Sequence, residues 1–115
     1  MHGAKSEIFT PERCWILECW NVPGDPAVSI ARARVARGIT TRRHRLKNVV
    51  ERYLVIEGSG VVRVGEQAPT SVGPGDVVSI PAGTAQQITN NGDTDLIFYC
   101  ICSPRFTPDC YEALE

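Results

Sequence analysis

Short apolar runs alternate along the chain with clusters of glycine, proline and small polar residues, a rhythm of strands and turns. Residues 14–20 are rich in aromatic and branched side chains and stop at Asn21-Val22-Pro23-Gly24-Asp25-Pro26, a loop by composition. Residues 28–36 alternate strictly, with Ile30, Arg32 and Arg34 on one face and Ala31, Ala33 and Val35 on the other. That period of two predicts a half-buried strand with its small apolar side chains inward. Residues 39–44 and 49–57 read as two further strands, and Gly58-Ser59-Gly60 as a tight turn into residues 61–64. Residues 69–72, 77–80 and 85–89 continue the style, divided by Gly73-Pro74-Gly75-Asp76 and Pro81-Ala82-Gly83. Residues 96–102 are apolar on both faces, which predicts a strand buried between sheets. Only residues 108–114 read as helical, opened by Pro108 and Asp109.

About nine strands with no periodic helix predict an all-β fold, a sandwich or barrel. The 115 residues fit one domain over 1–115, large enough to fold without a disulfide framework. The net charge is −1 and both signs are interspersed, so no basic surface is expected for nucleic acid. The nearest candidate, Arg42-Arg43-His44-Arg45-Leu46-Lys47, is short and strand-like. No apolar run approaches the roughly 18–20 residues of a membrane span. Residues 1–7 have no apolar signal-peptide core, and the 5 cysteines are an odd number. Free thiols in a cytoplasmic protein are the expectation.

Two spaced motifs carry the candidate chemistry. The first, residues 38–58, contains Gly38, His44, Arg45, Leu46, Glu51 and Gly58; the second, residues 75–90, contains Gly75, Pro81, Ala82, Gly83, Gln86 and Asn90. Together they resemble the two signature motifs of the cupin superfamily, in its small single-domain form. The resemblance implies a double-stranded β-helix, or jelly-roll barrel, ending here in a short C-terminal helical turn. In that family the first motif supplies His-x-His and a glutamate, the second a third histidine, and the four hold a divalent metal inside the barrel. His44 and Glu51 match the first histidine and the glutamate. Leu46 stands where the second histidine is expected, and Gln86 where the third is. The resemblance also implies a small-molecule ligand and a homodimer paired through outer sheets.

The spacing has its own physical content. His44 and Leu46 share a strand face, as do Glu51, Tyr53 and Val55, and as do Gln86 and Ile88. If those faces look inward, an imidazole, a carboxylate and an amide meet in a mostly apolar cavity, the make-up of a small-molecule site. As a metal site, His44, Glu51 and Gln86 form a set weaker than four full ligands, accepting Fe, Mn, Ni or Zn without selecting among them. On that reading the chain is a metal-dependent cupin, an oxygenase or isomerase acting on a small organic molecule, with Tyr53 moving the proton. The alternative is a metal-free cupin that binds or senses a small molecule without catalysis, His44 and Glu51 pairing through a hydrogen bond.

Other residues have a plain and a sharp reading. Cys100 and Cys102 share a face and are expected to act as buried small hydrophobes, though facing the barrel they would add thiols to the site. Cys14 and Cys19 fall on opposite faces of their strand, which does not suggest a disulfide. Tyr53 equally suits sheet packing. Arg42 shares the face of His44, either receiving an anionic substrate at the pocket mouth or standing exposed. Trp15 and Trp20 suit a dimer interface or the core.

Overall fold

Period-two alternation becomes two facing antiparallel sheets in the computed structural model, which describes residues 6–115. The strands are β1 (Ile8–Phe9), β2 (Trp15–Trp20), β3 (Ser29–Val35), β4 (His44–Leu46), β5 (Val50–Glu57) and β6 (Gly60–Val64). They continue as β7 (Thr70–Val72), β8 (Val77–Ile80), β9 (Gln86–Thr89), β10 (Leu96–Ser103) and β11 (Tyr111–Ala113). One sheet has six strands in the order β1-β2-β3-β10-β5-β8, the other five in the order β11-β4-β9-β6-β7. This is a double-stranded β-helix, as the motifs implied. Of residues 1–7, read above for an export signal, residues 1–5 lie outside the described ones. No helix among the described residues is long and apolar enough to cross a membrane.

Two expected elements are corrected. Residues 39–44 are not a strand: Thr40 makes an isolated bridge to Thr89, and the ladder starts only at His44. The cause is Thr41, whose hydroxyl accepts the Ile88 N–H at 3.0 Å and so takes a place that a neighbouring backbone would fill. The C-terminal helical turn is present but shorter than residues 108–114. A single 3-10 turn, Pro108–Cys110, leads into β11, which pairs with β4 in the register Tyr111↔Leu46 and Ala113↔His44. The backbone groups of residues 111–113 are better satisfied on that sheet edge than in an isolated turn.

The motif residues without acid–base chemistry tie the sheets together. Asn90 is fully buried; its Nδ2 donates to the carbonyls of Val35 (2.9 Å) and Thr94 (2.8 Å), and its Oδ1 accepts the Gly92 N–H at 2.9 Å. Its backbone N–H donates to Ile39, and its carbonyl accepts from Gly38, so the end of the second motif clasps the start of the first. The Gly83 N–H donates to the Leu46 carbonyl at 2.8 Å, fixing the Pro-Ala-Gly turn against the end of β4. Gly58 has φ +80°, and a Cβ there would sit 2.5 Å from the Asp95 carbonyl oxygen, so only glycine fits that turn.

Inward side-chain size decides where the barrel is solid. β3 and β10 pair as Val35↔Leu96, Ala33↔Phe98, Ala31↔Cys100 and Ser29↔Cys102. Bulk therefore falls along both strands, from Val and Leu at one end to Ser and Cys at the other. At the bulky end Val35, Val55, Ile80, Ile88, Leu96 and Phe98 form a continuous core. At the other end the same inward positions leave space.

Candidate functional site

That space is a cavity of about 470 Å³, in the range of small-molecule pockets. Its wall includes Ile16, Ala31, Leu46, Phe106 and Tyr111 as apolar surface, with His44, Glu51, Glu12, Glu18 and Arg42 as charge-bearing groups. His44 and Glu51 thus do meet in one enclosure, one from β4 and one from β5. Gln86 lies beside them in register with His44, but behind the wall rather than on it. Tyr53 is also behind the wall, 3% exposed and packed on Phe98 with ring centroids 4.5 Å apart. Its hydroxyl donates to Gln86 Oε1. Burial, then the charge of Glu51, pushes the Tyr53 phenol well above its ordinary pKa.

His44 is held at one ring nitrogen. Its Nδ1 lies 2.9 Å from the Arg42 carbonyl oxygen, which only accepts, so Nδ1 carries the proton and donates. Glu12 Oε1 sits 3.0 Å from the same nitrogen as an ion-pair contact off the N–H axis, without a hydrogen bond of its own. Tyr111 stacks on the imidazole with centroids 4.9 Å apart and planes 23° apart. Nε2 is thereby the nitrogen left to the cavity. Burial works against the imidazolium, but the Glu12 carboxylate, the Arg42 carbonyl and Glu51 outweigh it, and the His44 pKa is raised. The hydrogen bond between His44 and Glu51 considered from the sequence is not made; Glu12 is the partner instead.

Sequence reasoning missed Glu12 because it lies on no alternating run. A turn delivers it: the Thr10 carbonyl accepts the Arg13 N–H at 3.0 Å, Thr10 Oγ1 accepts the Glu12 N–H at 3.3 Å, and Arg13 takes φ 69°. Glu12 O then accepts the Arg42 N–H at 3.1 Å, pinning that turn beside β4. The Thr-x-Glu-Arg spacing was the available signal. Tyr111 was missed through the helical reading of residues 108–114.

Glu51 is 7% exposed, and its Oε1 has no hydrogen-bond partner. Its Oε2 accepts the Cys102 thiol at 3.7 Å. Burial raises its pKa, with His44 and the nearby Gln86 amide pulling the other way. Cys100 and Cys102 line the cavity wall. Burial pushes both thiols up in pKa, so they stay protonated and behave as small weakly polar wall groups. Arg42 lines the rim, its guanidinium donating to the Glu115 carbonyl at 3.2 Å.

The donors fit a transition metal poorly. The Gln86 amide oxygen is occupied by Tyr53, and the atom left unpartnered is Nε2, a hydrogen-bond donor. No three His, Cys, Asp or Glu residues converge among the described ones. His44 Nε2 and the Glu51 carboxylate remain, two donors where such sites use three or four.

A jelly roll hollow at one end and lined there by acid–base groups defines a barrel of the cupin class. The cupin domain family model matches residues 32–102, and the chain belongs to that family. No curated protein sequence matches it. Among solved structures it is similar to an uncharacterised conserved protein with a double-stranded β-helix domain from Klebsiella pneumoniae subsp. pneumoniae MGH 78578, with TM-score 0.78, 15% identity, and 92% of this chain and 88% of that chain covered. It is also similar to CapF, a capsular polysaccharide assembling protein from Staphylococcus aureus, with TM-score 0.78 and 26% identity over 97% of this chain; the match spans only 34% of CapF. A third neighbour is Pac13, a nucleoside dehydratase of Streptomyces solved in variant form with uridine, at TM-score 0.76 and 18% identity over 96% of this chain and 85% of that chain.

Proposed function

We propose that this chain holds a small organic molecule in the hollow end of its barrel and uses His44 as the group that exchanges a proton with it, without a resident transition metal. The observation that carries this reading is the arrangement of the imidazole. Nδ1 is committed to the Arg42 carbonyl and the Glu12 carboxylate, while Nε2 is left to a cavity of about 470 Å³. A carboxylate behind a histidine fixes its tautomer and stabilises its charged form, which suits a general acid that is recharged as a base. Tyr53, the proton carrier expected beside a metal, here takes the role of holding the Gln86 amide. Similarity in fold to a nucleoside dehydratase is consistent with a ligand of that size.

A binding module without turnover is the second reading. The Glu12 carboxylate beside the ring favours it, because it supports the charged imidazole, a better hydrogen-bond donor than base. On either reading we place the protein in the cytoplasm, with Cys14, Cys100, Cys102 and Cys110 as thiols. We also place two copies in contact through the outer face of the six-stranded sheet, where Trp15, Leu17, Ile97 and Tyr99 are half-buried.

Two measurements test the proposal together. After loading with Fe, Mn, Ni or Zn and desalting, the untagged protein retains less than about a tenth of an equivalent of metal. Ligand-observed NMR against a small-molecule library finds binders to the wild type that Ala31→Leu, which fills the cavity, does not bind. Metal near one per chain that is lost in His44→Ala would overturn the metal-free reading. Finding no molecule that distinguishes the wild type from Ala31→Leu would overturn the cavity as the site.

A further inference from the structure

The charge of the cavity wall restricts what it can hold. Three carboxylates line it, Glu12, Glu18 and Glu51, against two cationic groups, His44 and Arg42. Each cation is held at one point, His44 at Nδ1 beside Glu12 and Arg42 by donating to the Glu115 carbonyl at the rim. Glu18 stands exposed at the mouth, its Oε1 accepting from Asn21 Nδ2 at 3.2 Å. Glu51 is the deep group, more than nine-tenths buried with Oε1 unpartnered, an acceptor waiting for a donor. Beside these lie the apolar surfaces of Ile16, Leu46, Phe106 and Tyr111.

Resting on the small-molecule reading above, we infer that the cavity takes a hydroxyl-bearing ring compound, a sugar or nucleoside free of phosphate and carboxylate groups. A hydroxyl reaching Glu51 satisfies the unpartnered oxygen, and a ring face covers the apolar wall. A phosphate or carboxylate at the same place joins a wall whose three carboxylates, Glu12, Glu18 and Glu51, outnumber its two cationic groups, and like charges brought together in a confined site repel. Arg42 is the residue through which this inference would fail, by turning from Glu115 to a ligand anion.

The test uses matched probes on the full chain by calorimetry at constant ionic strength: ribose against ribose phosphate, uridine against uridine monophosphate, and glucose against glucuronate. In at least one set the neutral member binds, and its charged counterpart binds about tenfold or more weakly. Glu51→Gln, nearly the same shape, and Glu18→Gln at the exposed mouth each narrow that gap by weakening the discrimination against the anion. Tighter binding of a phosphate or carboxylate member overturns the inference while leaving a small-molecule cavity in place, and its loss in Arg42→Gln would name the cause. If no probe of any class binds but the library screen yields ligands of other chemistry, the polyol assignment falls alone. If the screen is also empty, the parent reading falls with it.

Discussion

One barrel here has a filled end and a hollow end, built from the same strands with the same alternation. At the filled end β3 and β10 contribute Val35, Ala33, Leu96 and Phe98; at the hollow end they contribute Ala31, Ser29, Cys100 and Cys102. Polar pairs differ in the same sense. Tyr53 and Gln86 close on each other in the sealed region, whereas His44 is clamped at one nitrogen and left open at the other. The contrast teaches that strand register alone builds a shell. Side-chain volume at successive inward positions decides whether the shell is a core or a site.

The sharpest way to break this contrast is to truncate one inward side chain to alanine at each end. Leu96→Ala should cost about 2–5 kcal/mol, because its wholly buried site cannot collapse around the void. Cys100→Ala, at the edge of existing space, should cost under about 1 kcal/mol, since fewer contacts are lost there. Urea titration of both variants checks the difference; similar losses would mean that the two ends are packed alike. Next in size is Tyr53→Phe, which strands the buried Gln86 oxygen and should cost about 1–3 kcal/mol while leaving the His44 titration in place. A shift of that titration without loss of stability would return Tyr53 to the functional group. Ala31→Leu should move stability by no more than about 1 kcal/mol either way while abolishing ligand binding.

The smallest expected effect is electrostatic. The folded pKa of Glu51 is raised above its ordinary 4.5 by burial, so the native state holds this proton more tightly than the unfolded chain. Stability is therefore lost as pH rises from 4.5 through the folded value. Glu51→Gln should be more stable than the wild type near neutral pH, with the advantage fading toward pH 4.5 and below, as read by thermal melts across pH.

Strand positions and the two motifs were legible because alternation and turn chemistry are local. The convergence of His44, Glu51 and Gln86 was inferred from facing alone; His44 and Glu51 line the cavity and Gln86 does not. What local patterns did not reveal is telling. Glu12 acts from a turn, so no periodicity marks it, and its partnership with His44 depends on the Thr10–Arg13 backbone lying against β4. Gln86 stands on the strand expected of it, yet its oxygen is claimed by Tyr53 from the opposite sheet, a long-range contact invisible in spacing. Tyr111 was assigned to a helix because Pro108 and Asp109 resemble a helix start, while the free edge of β4 drew the chain into a strand. The fall from Val35 to Ser29 was legible as alternation, but its meaning needed the antiparallel partner β10 to fall in step.

The hollow end functions as described only if Glu12 and the Arg42 carbonyl hold His44 at Nδ1 and keep its charged form favoured. Because the folded pKa of His44 is raised, the pair contributes stability below pH 6.5 that is lost as pH climbs through the folded value. NMR titration of the imidazole nitrogens, tractable in a chain with 2 histidines, reads this directly. The account predicts that His44 keeps its proton on Nδ1 when neutral, titrates above 6.5 in the wild type, and shifts downward in Glu12→Gln. A neutral form protonated on Nε2, or a titration unmoved by Glu12→Gln, would contradict it.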